Sequence, residues 1–262
     1  MKKMVLFDLD DTLLWDKKSV KDAFNLTCQL AEKEAGISPE ELEKNVRDRA
    51  RELYASYPTY TYTQKIGINP FEGLWATFDD PGEEFQQLRD IAPVYQEKAW
   101  RAGLEDTGVN NPKLAKKLAK AFRTYRIESP CLFEDALTVL TELEKDYRLA
   151  LVTNGSPSLQ NLKLEISPEL IPYFEKIFIS GDIGTGKPDP EIFNVVLKAL
   201  DIKAEDAIMV GDNLNTDIIG ANRTGIESVW LNRFDAENNS AVEPDFEIKS
   251  LKELKNILQT YS

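Results

Sequence analysis

The chain has 262 residues, 42% hydrophobic and 29% charged, and its 32 basic and 45 acidic side chains leave a net charge of −13. That length is enough for one large domain or two smaller ones with a proper core. The acidic balance argues against a nucleic-acid polymer as partner, since such binding rests on clustered Lys and Arg, and the absence of histidine excludes Ser-His hydrolases, histidine phosphatases and imidazole metal sites.

Met1-Lys-Lys-Met starts like a charged signal segment, but Asp8 and Asp10 interrupt the apolar run behind it, so a cytoplasmic protein without a membrane span is expected. That run, Val5-Leu-Phe-Asp-Leu-Asp-Asp-Thr-Leu13, reads as a buried strand that stops in Asp8, Asp10 and Asp11. Acids in such a place lie at the carboxyl edge of a sheet, where open α/β sheets bind ligands.

Residues 20–35, 39–54, 83–101 and 112–126 carry helical patterns, and no βαβ-type strand separates them. The spacing predicts an all-helical insert over 16–130, beginning directly after the first acids. A cap that excludes water and selects substrate would be inserted there; an independent helical domain is the plainer alternative. Trp75, Phe78, Trp100, Tyr54, Tyr57, Tyr60 and Tyr62 are expected to fill the core of this insert rather than line a pocket, while Arg51, Ser56, Thr59, Thr61, Thr63 and Lys65 are candidate contacts for a polar substrate. Asp11 and Asp16 read as turn residues at the junction. Neither Cys28 nor Cys131 belongs to a zinc motif, and Glu34 and Leu137 stand where a Cys-x5-Arg phosphatase loop would need arginine.

From 131 onward helical and strand-like pieces alternate: helices at 134–146, 190–200, 216–224 and 251–258, strands at 148–153, 177–180, 207–210 and 228–232. The strands are almost continuously apolar, which predicts an α/β fold with a parallel sheet covered on both faces. A second strand ends in acids, Ala207-Ile-Met-Val-Gly-Asp212, with Asp217 following. Packed carboxylates repel one another and call for a divalent cation, and oxygen ligands favour Mg²⁺. Helix capping and turn formation are the alternative roles for these acids.

Asp8-x-Asp10, Thr153-Asn154, Lys187 and Gly211-Asp212-(x4)-Asp217 together supply what in-line phosphoryl transfer requires. Asp8 would be the nucleophile and Asp10 the general acid and base. Asp8, the Asp10 backbone carbonyl and Asp212 would hold Mg²⁺, Thr153, Asn154 and Lys187 the phosphoryl oxygens, and Asp217 would orient Lys187 or a metal-bound water. Asn213 stands where a further acid would add charge, which caps the carboxylate positions at three. Gly181-Asp-Ile-Gly-Thr-Gly-Lys187 matches the start of a P-loop, but Pro188 lacks the hydroxyl and the N–H that motif needs.

In order along the chain, Asp8-Leu-Asp-Asp-Thr12, Thr153-Asn-Gly155, Lys187-Pro-Asp-Pro190 and Gly211-Asp-Asn-Leu-Asn-Thr-Asp217 resemble the four motifs of the haloacid dehalogenase superfamily. The resemblance implies a Rossmann-like three-layer core over 1–15 and 131–262 and a helical cap over 16–130. It also implies a Mg²⁺-dependent phosphatase acting on a small phosphorylated metabolite such as phosphoserine, phosphoglycolate, a sugar phosphate or a nucleotide. Members that cleave carbon–halogen bonds lack an acid at the place of Asp10, because halide leaves without a proton. A phosphomutase on the same residues, or a binding or regulatory protein that keeps the fold, are the alternatives.

Overall fold

The apolar run Met4–Phe7 forms β1 with all four side chains buried. The computed structural model describes residues 2–261. Five further strands complete one sheet: β2 (Arg148–Thr153), β3 (Lys176–Ile179), β4 (Ala207–Gly211), β5 (Glu227–Leu231) and β6 (Phe246–Ile248). Their spatial order is β3-β2-β1-β4-β5-β6, and every pairing is parallel. The predicted α/β class and parallel sheet are therefore what the chain forms. Strand β6 was not read from the sequence; it has only three residues, with Glu247 exposed, too short for an apolar run to announce it.

Register decides where the acids end up. Phe7 is level with Leu151 on one side and Val210 on the other, so Asp8, Thr153 and Asp212 leave the sheet within about two residues of one another. The chain runs from β1 outward to β2 and β3, then returns to place β4 on the other flank of β1. This reversal between β1 and β4 is a topological switch point, where such sheets open a ligand crevice. The helix Pro190–Leu200 buries Ile192, Phe193, Val196 and Leu200 at helical spacing, in one cluster with Met4, Leu6, Val152 and Met209 of the strands.

By its internal contacts the chain forms two units: one of residues up to Trp15, Leu132–Gly155 and from Ser167 onward, the other Asp16–Cys131 with Ser156–Ile166. The sheet belongs to the first. The second holds the helices Asp16–Ala35, Pro39–Ser56, Tyr60–Ile66, Pro70–Gly73, Glu83–Asp106 and Pro112–Glu128, joined by Pro157–Glu165. The sequence reading grouped this last helix with the sheet. Its Ser156 hydroxyl donates to Asp80 Oδ2 (2.6 Å), the Ser158 amide donates to Asp80 Oδ1 (2.6 Å), and Leu159 is buried among the helical unit's apolar residues. Trp75, Phe78, Trp100 and Tyr54 are buried in that core as expected, with Phe24 packed 5.8 Å from Trp100 and 4.6 Å from Phe122.

Asp16 is not a turn residue. It starts the helix Asp16–Ala35 and belongs to a buried charge cluster: its Oδ1 accepts from Arg126 Nη2 (2.6 Å) and lies 3.8 Å from Lys163 Nζ, which in turn pairs with Glu72 at 2.9 Å. Arg126 also donates to Ser19 Oγ and stacks over Trp75, its Cζ 4.6 Å from the ring centre. Asp11 does occupy a turn, with φ of +62° and its N–H donating to the Leu14 carbonyl. Among the described residues no helix is long and apolar enough to cross a membrane.

Candidate active site

Asp8 continues the line of β1, its N–H donating to the Val210 carbonyl of β4 at 3.0 Å. Both of its carboxylate oxygens are held. Oδ1 accepts from Lys187 Nζ at 2.6 Å, and Oδ2 accepts from the Thr12 hydroxyl at 3.0 Å. Thr12 reaches back because the chain turns tightly over residues 9–14, where the Leu9 carbonyl accepts from the N–H groups of Thr12, Leu13 and Leu14. Asp10 lies in the same turn and bridges to Leu14.

Lys187 is almost completely buried; its ammonium donates to Asp8 Oδ1 (2.6 Å) and the Val152 carbonyl (2.7 Å) and pairs with Asp217 Oδ1 at 2.7 Å. Burial pulls the Lys187 pKa down, but Asp217 and Asp8 outweigh it and hold the amine above its ordinary range. Lys187 is therefore a fixed positive charge at neutral pH. Its backbone is clamped as well: Asn154 Oδ1 accepts the Lys187 N–H and Asn154 Nδ2 donates to the Lys187 carbonyl, both at 2.8 Å. Gly186 permits this, since a Cβ there would stand 2.7 Å from Asn154 Oδ1. Thr153, buried at the end of β2, precedes this clamp.

Asp217 is buried in the turn of π-helix Leu214–Ile218 that follows β4. Its Oδ1 faces Lys187, and its Oδ2 accepts from the Asn213 N–H at 3.1 Å. A side chain on Gly211 would collide with it at 2.3 Å, so glycine at the end of β4 is what lets Asp217 fold back against the strand. Asp212 is held through its backbone, whose carbonyl accepts from Trp230 Nε1 at 2.9 Å.

One carboxylate oxygen from each of Asp8, Asp212 and Asp217 lies within 4.8 Å of the others. Three carboxylates thus converge, two of them on the Lys187 ammonium, and the strain of the arrangement shows at Asp8. Burial chiefly, and Asp217 beside it, push the Asp8 carboxyl from 3.8 up to about 6, although Lys187 and Thr12 pull the other way. A hard divalent cation fits this set: the donors are all oxygen, three carboxylates converge within 4.8 Å, and one acid is held reluctant to ionise without it. Asp217, expected to act only behind the metal ligands, stands among the three converging carboxylates while also pairing with Lys187. Sequence reading assigned no role to the Thr12 hydroxyl or the Val152 carbonyl. A backbone acceptor leaves no mark in a sequence, and Thr12 was visible only as part of a motif.

The family description "haloacid dehalogenase-like hydrolase" matches residues 2–225. The phosphoserine phosphatase of Thermus thermophilus is 36% identical over 253 residues, 96% of this chain and 97% of its own. The glyceraldehyde 3-phosphate phosphatase of Methanopyrus kandleri is 28% identical, over 99% of this chain and 98% of its own. Among solved structures, the magnesium-bound HAD-hydrolase YfnB of Bacillus subtilis superposes with a TM-score of 0.69 at 24% identity, covering 98% of each chain. That last likeness speaks to the fold.

Proposed function

The chain belongs to the haloacid dehalogenase-like hydrolases and is a phosphatase, and we propose that it hydrolyses phosphomonoesters of small metabolites in the cytoplasm through a phospho-Asp8 intermediate with Mg²⁺. The observation that carries the reading is Asp8 itself. It is a buried carboxylate fixed on one oxygen by Lys187 and on the other by Thr12, at the switch point of the sheet, beside two further acids.

With its carboxyl near 6, Asp8 is ionised at neutral pH and able to attack. In the first step an Asp8 oxygen bonds to phosphorus, the bond to the ester oxygen breaks, and Asp10 gives its proton to the departing alkoxide. In the second, Asp10 takes a proton from water, the water oxygen attacks phosphorus, and the Asp8–phosphorus link breaks to release phosphate. Thr153, the second Asn154 amide hydrogen and the Lys187 charge would stabilise the phosphoryl oxygens. Asp8, the Asp10 carbonyl and Asp212 would hold the Mg²⁺, with Asp217 orienting Lys187; bound there, the cation supplies charge neutralisation for the phosphoryl group. Substrate choice falls to the helical unit acting as the cap, and phosphoserine is the first metabolite to try, because the Thermus relative bearing that name spans nearly the whole chain.

A dehalogenase is disfavoured by Asp10, whose proton a halide does not need. A phosphomutase would use the same residues and return the phosphoryl group to its own substrate. The test is inorganic phosphate release from phosphorylated hydroxy acids, phosphoserine, sugar phosphates and nucleotides, with and without EDTA, beside Asp8→Asn. Release that needs both Mg²⁺ and Asp8 supports the reading. Positional transfer with little free phosphate would indicate the mutase, and inertness of every phosphoester would oppose both.

A further inference from the structure

β5, a strand that carries none of these motifs, is followed by a residue that grips the turn holding the nucleophile. Arg233 stands two positions beyond the end of β5. Its Nη1 and Nη2 fork onto the Asp135 carboxylate at 3.0 and 2.8 Å, and Nη2 also donates to the Thr12 carbonyl at 3.2 Å. Its Cζ lies 3.9 Å from the centre of the Phe133 ring, which is itself stacked on Trp15 at 5.2 Å.

Asp135 is anchored in turn. Its Oδ2 accepts from Ser250 Oγ (2.8 Å) and the Leu251 N–H (2.9 Å). Burial pushes its carboxyl up, but Arg233, Ser250 and the Leu251 amide outweigh that and keep it below the usual 3.8, so the pair stays charged. Phe133 adds a backbone tie, its N–H donating to the Leu13 carbonyl at 3.0 Å. Arg233 is thus held by the Asp135 carboxylate and the Phe133 ring, and from there it reaches the carbonyl of Thr12.

Thr12 is the residue whose hydroxyl orients Asp8 Oδ2. A hydrogen bond of this kind is lost when one partner shifts by about an ångström. We propose that Arg233, anchored by Asp135, is a positioning residue that fixes the Asp8 carboxylate through Thr12. The inference rests on the reading of Asp8 as the nucleophile. A merely structural Arg233 would stiffen the fold without passing its effect through the Thr12 hydroxyl.

Arg233→Met alone strands the Asp135 charge and endangers folding, so the informative protein is Arg233→Met/Asp135→Leu, which removes both ends of the buried pair together. It is compared with Thr12→Val and with the triple combination, measuring kcat, KM and the calorimetric Mg²⁺ affinity of substrate-free protein. The expected result is a fall in kcat of roughly 10–100-fold with KM nearly unchanged, and Mg²⁺ affinity weakened by roughly tenfold, as for other groups that orient metal or catalytic ligands. Thr12→Val should reproduce this, and adding the Arg233/Asp135 change to it should add almost nothing. Wild-type kcat and Mg²⁺ affinity in the folded double variant, or full additivity with Thr12→Val, would overturn the proposal. If the wild type hydrolyses no phosphoester, the nucleophile reading fails, and the Mg²⁺ affinities alone then decide whether Arg233 positions Asp8.

Discussion

Two buried charge clusters in this molecule answer the same physical problem in opposite ways. In the helical unit, Asp16 and Glu72 face Arg126 and Lys163, two anions for two cations. Burial pushes the Asp16 carboxyl up, but Lys163 and Arg126 pull it further down, so it lies below its ordinary 3.8. In the sheet unit, Asp8 and Asp217 share Lys187, a carboxylate oxygen of Asp212 lies within 4.8 Å of theirs, and Asp8 is driven up to about 6. The balanced cluster is complete by itself and holds helices together. The other keeps the Asp8 carboxyl raised in spite of Lys187, and a strongly shifted group among converging acids is where a ligand can be bound and chemistry done.

The comparison can be broken by substitutions of one kind in the two places. Asp10→Asn, which removes the general acid and base without touching Lys187, should lower kcat by roughly 10²–10⁴-fold in steady-state assays. Asp16→Asn strands buried Arg126 and should cost about 3–5 kcal/mol of stability in denaturant unfolding. Asp8→Asn should have the opposite sign: at pH 8 without Mg²⁺ it should stabilise the protein by about 1–3 kcal/mol, since it removes a charge the fold disfavours. Equal signs for the two Asp→Asn changes would erase the distinction drawn here.

Proton linkage sharpens it further. Asp16 has a depressed pKa, so its stabilisation is present above 3.8 and disappears as pH falls through its lower folded value. Asp8 has a raised pKa, so its contribution is fully present below 3.8 and is lost as pH rises through about 6. Mg²⁺ competes with that proton. The rise in melting temperature given by a fixed Mg²⁺ concentration should therefore be constant above about pH 7 and shrink below 6, with apparent affinity falling about tenfold per pH unit. A thermal-shift titration from pH 5 to pH 8 would read this directly, and a pH-independent shift would remove Asp8 from the metal site.

What the sequence revealed follows from where each device is written. Apolar strands and acid ends are local, so the parallel sheet and the grouping of Asp8 with Asp212 could be read from residue order and confirmed by register. The six-stranded count could not, because β6 is three residues with only Ile248 fully buried. Asp16 was misread since a lone acid at a junction looks like a turn; its partners Arg126 and Lys163 are more than a hundred positions away. The helix Pro157–Glu165 follows β2 in the chain yet groups with the helical unit, through an Asp80 whose role depends on long-range contact. The Asn154 amide was expected on phosphate, and what its geometry adds is the clamp on the Lys187 backbone, visible only once two loops meet.

The central claim is that the phosphoryl group passes through Asp8. The direct measurement is rapid acid quenching of wild-type protein mixed with Mg²⁺ and ³²P-labelled substrate, followed by peptide mapping. The account predicts hydroxylamine-labile label on the peptide carrying Asp8, formed at least as fast as turnover and absent from Asp8→Asn. Turnover without a labelled protein, in a preparation where Asp8→Asn is also active, would contradict it.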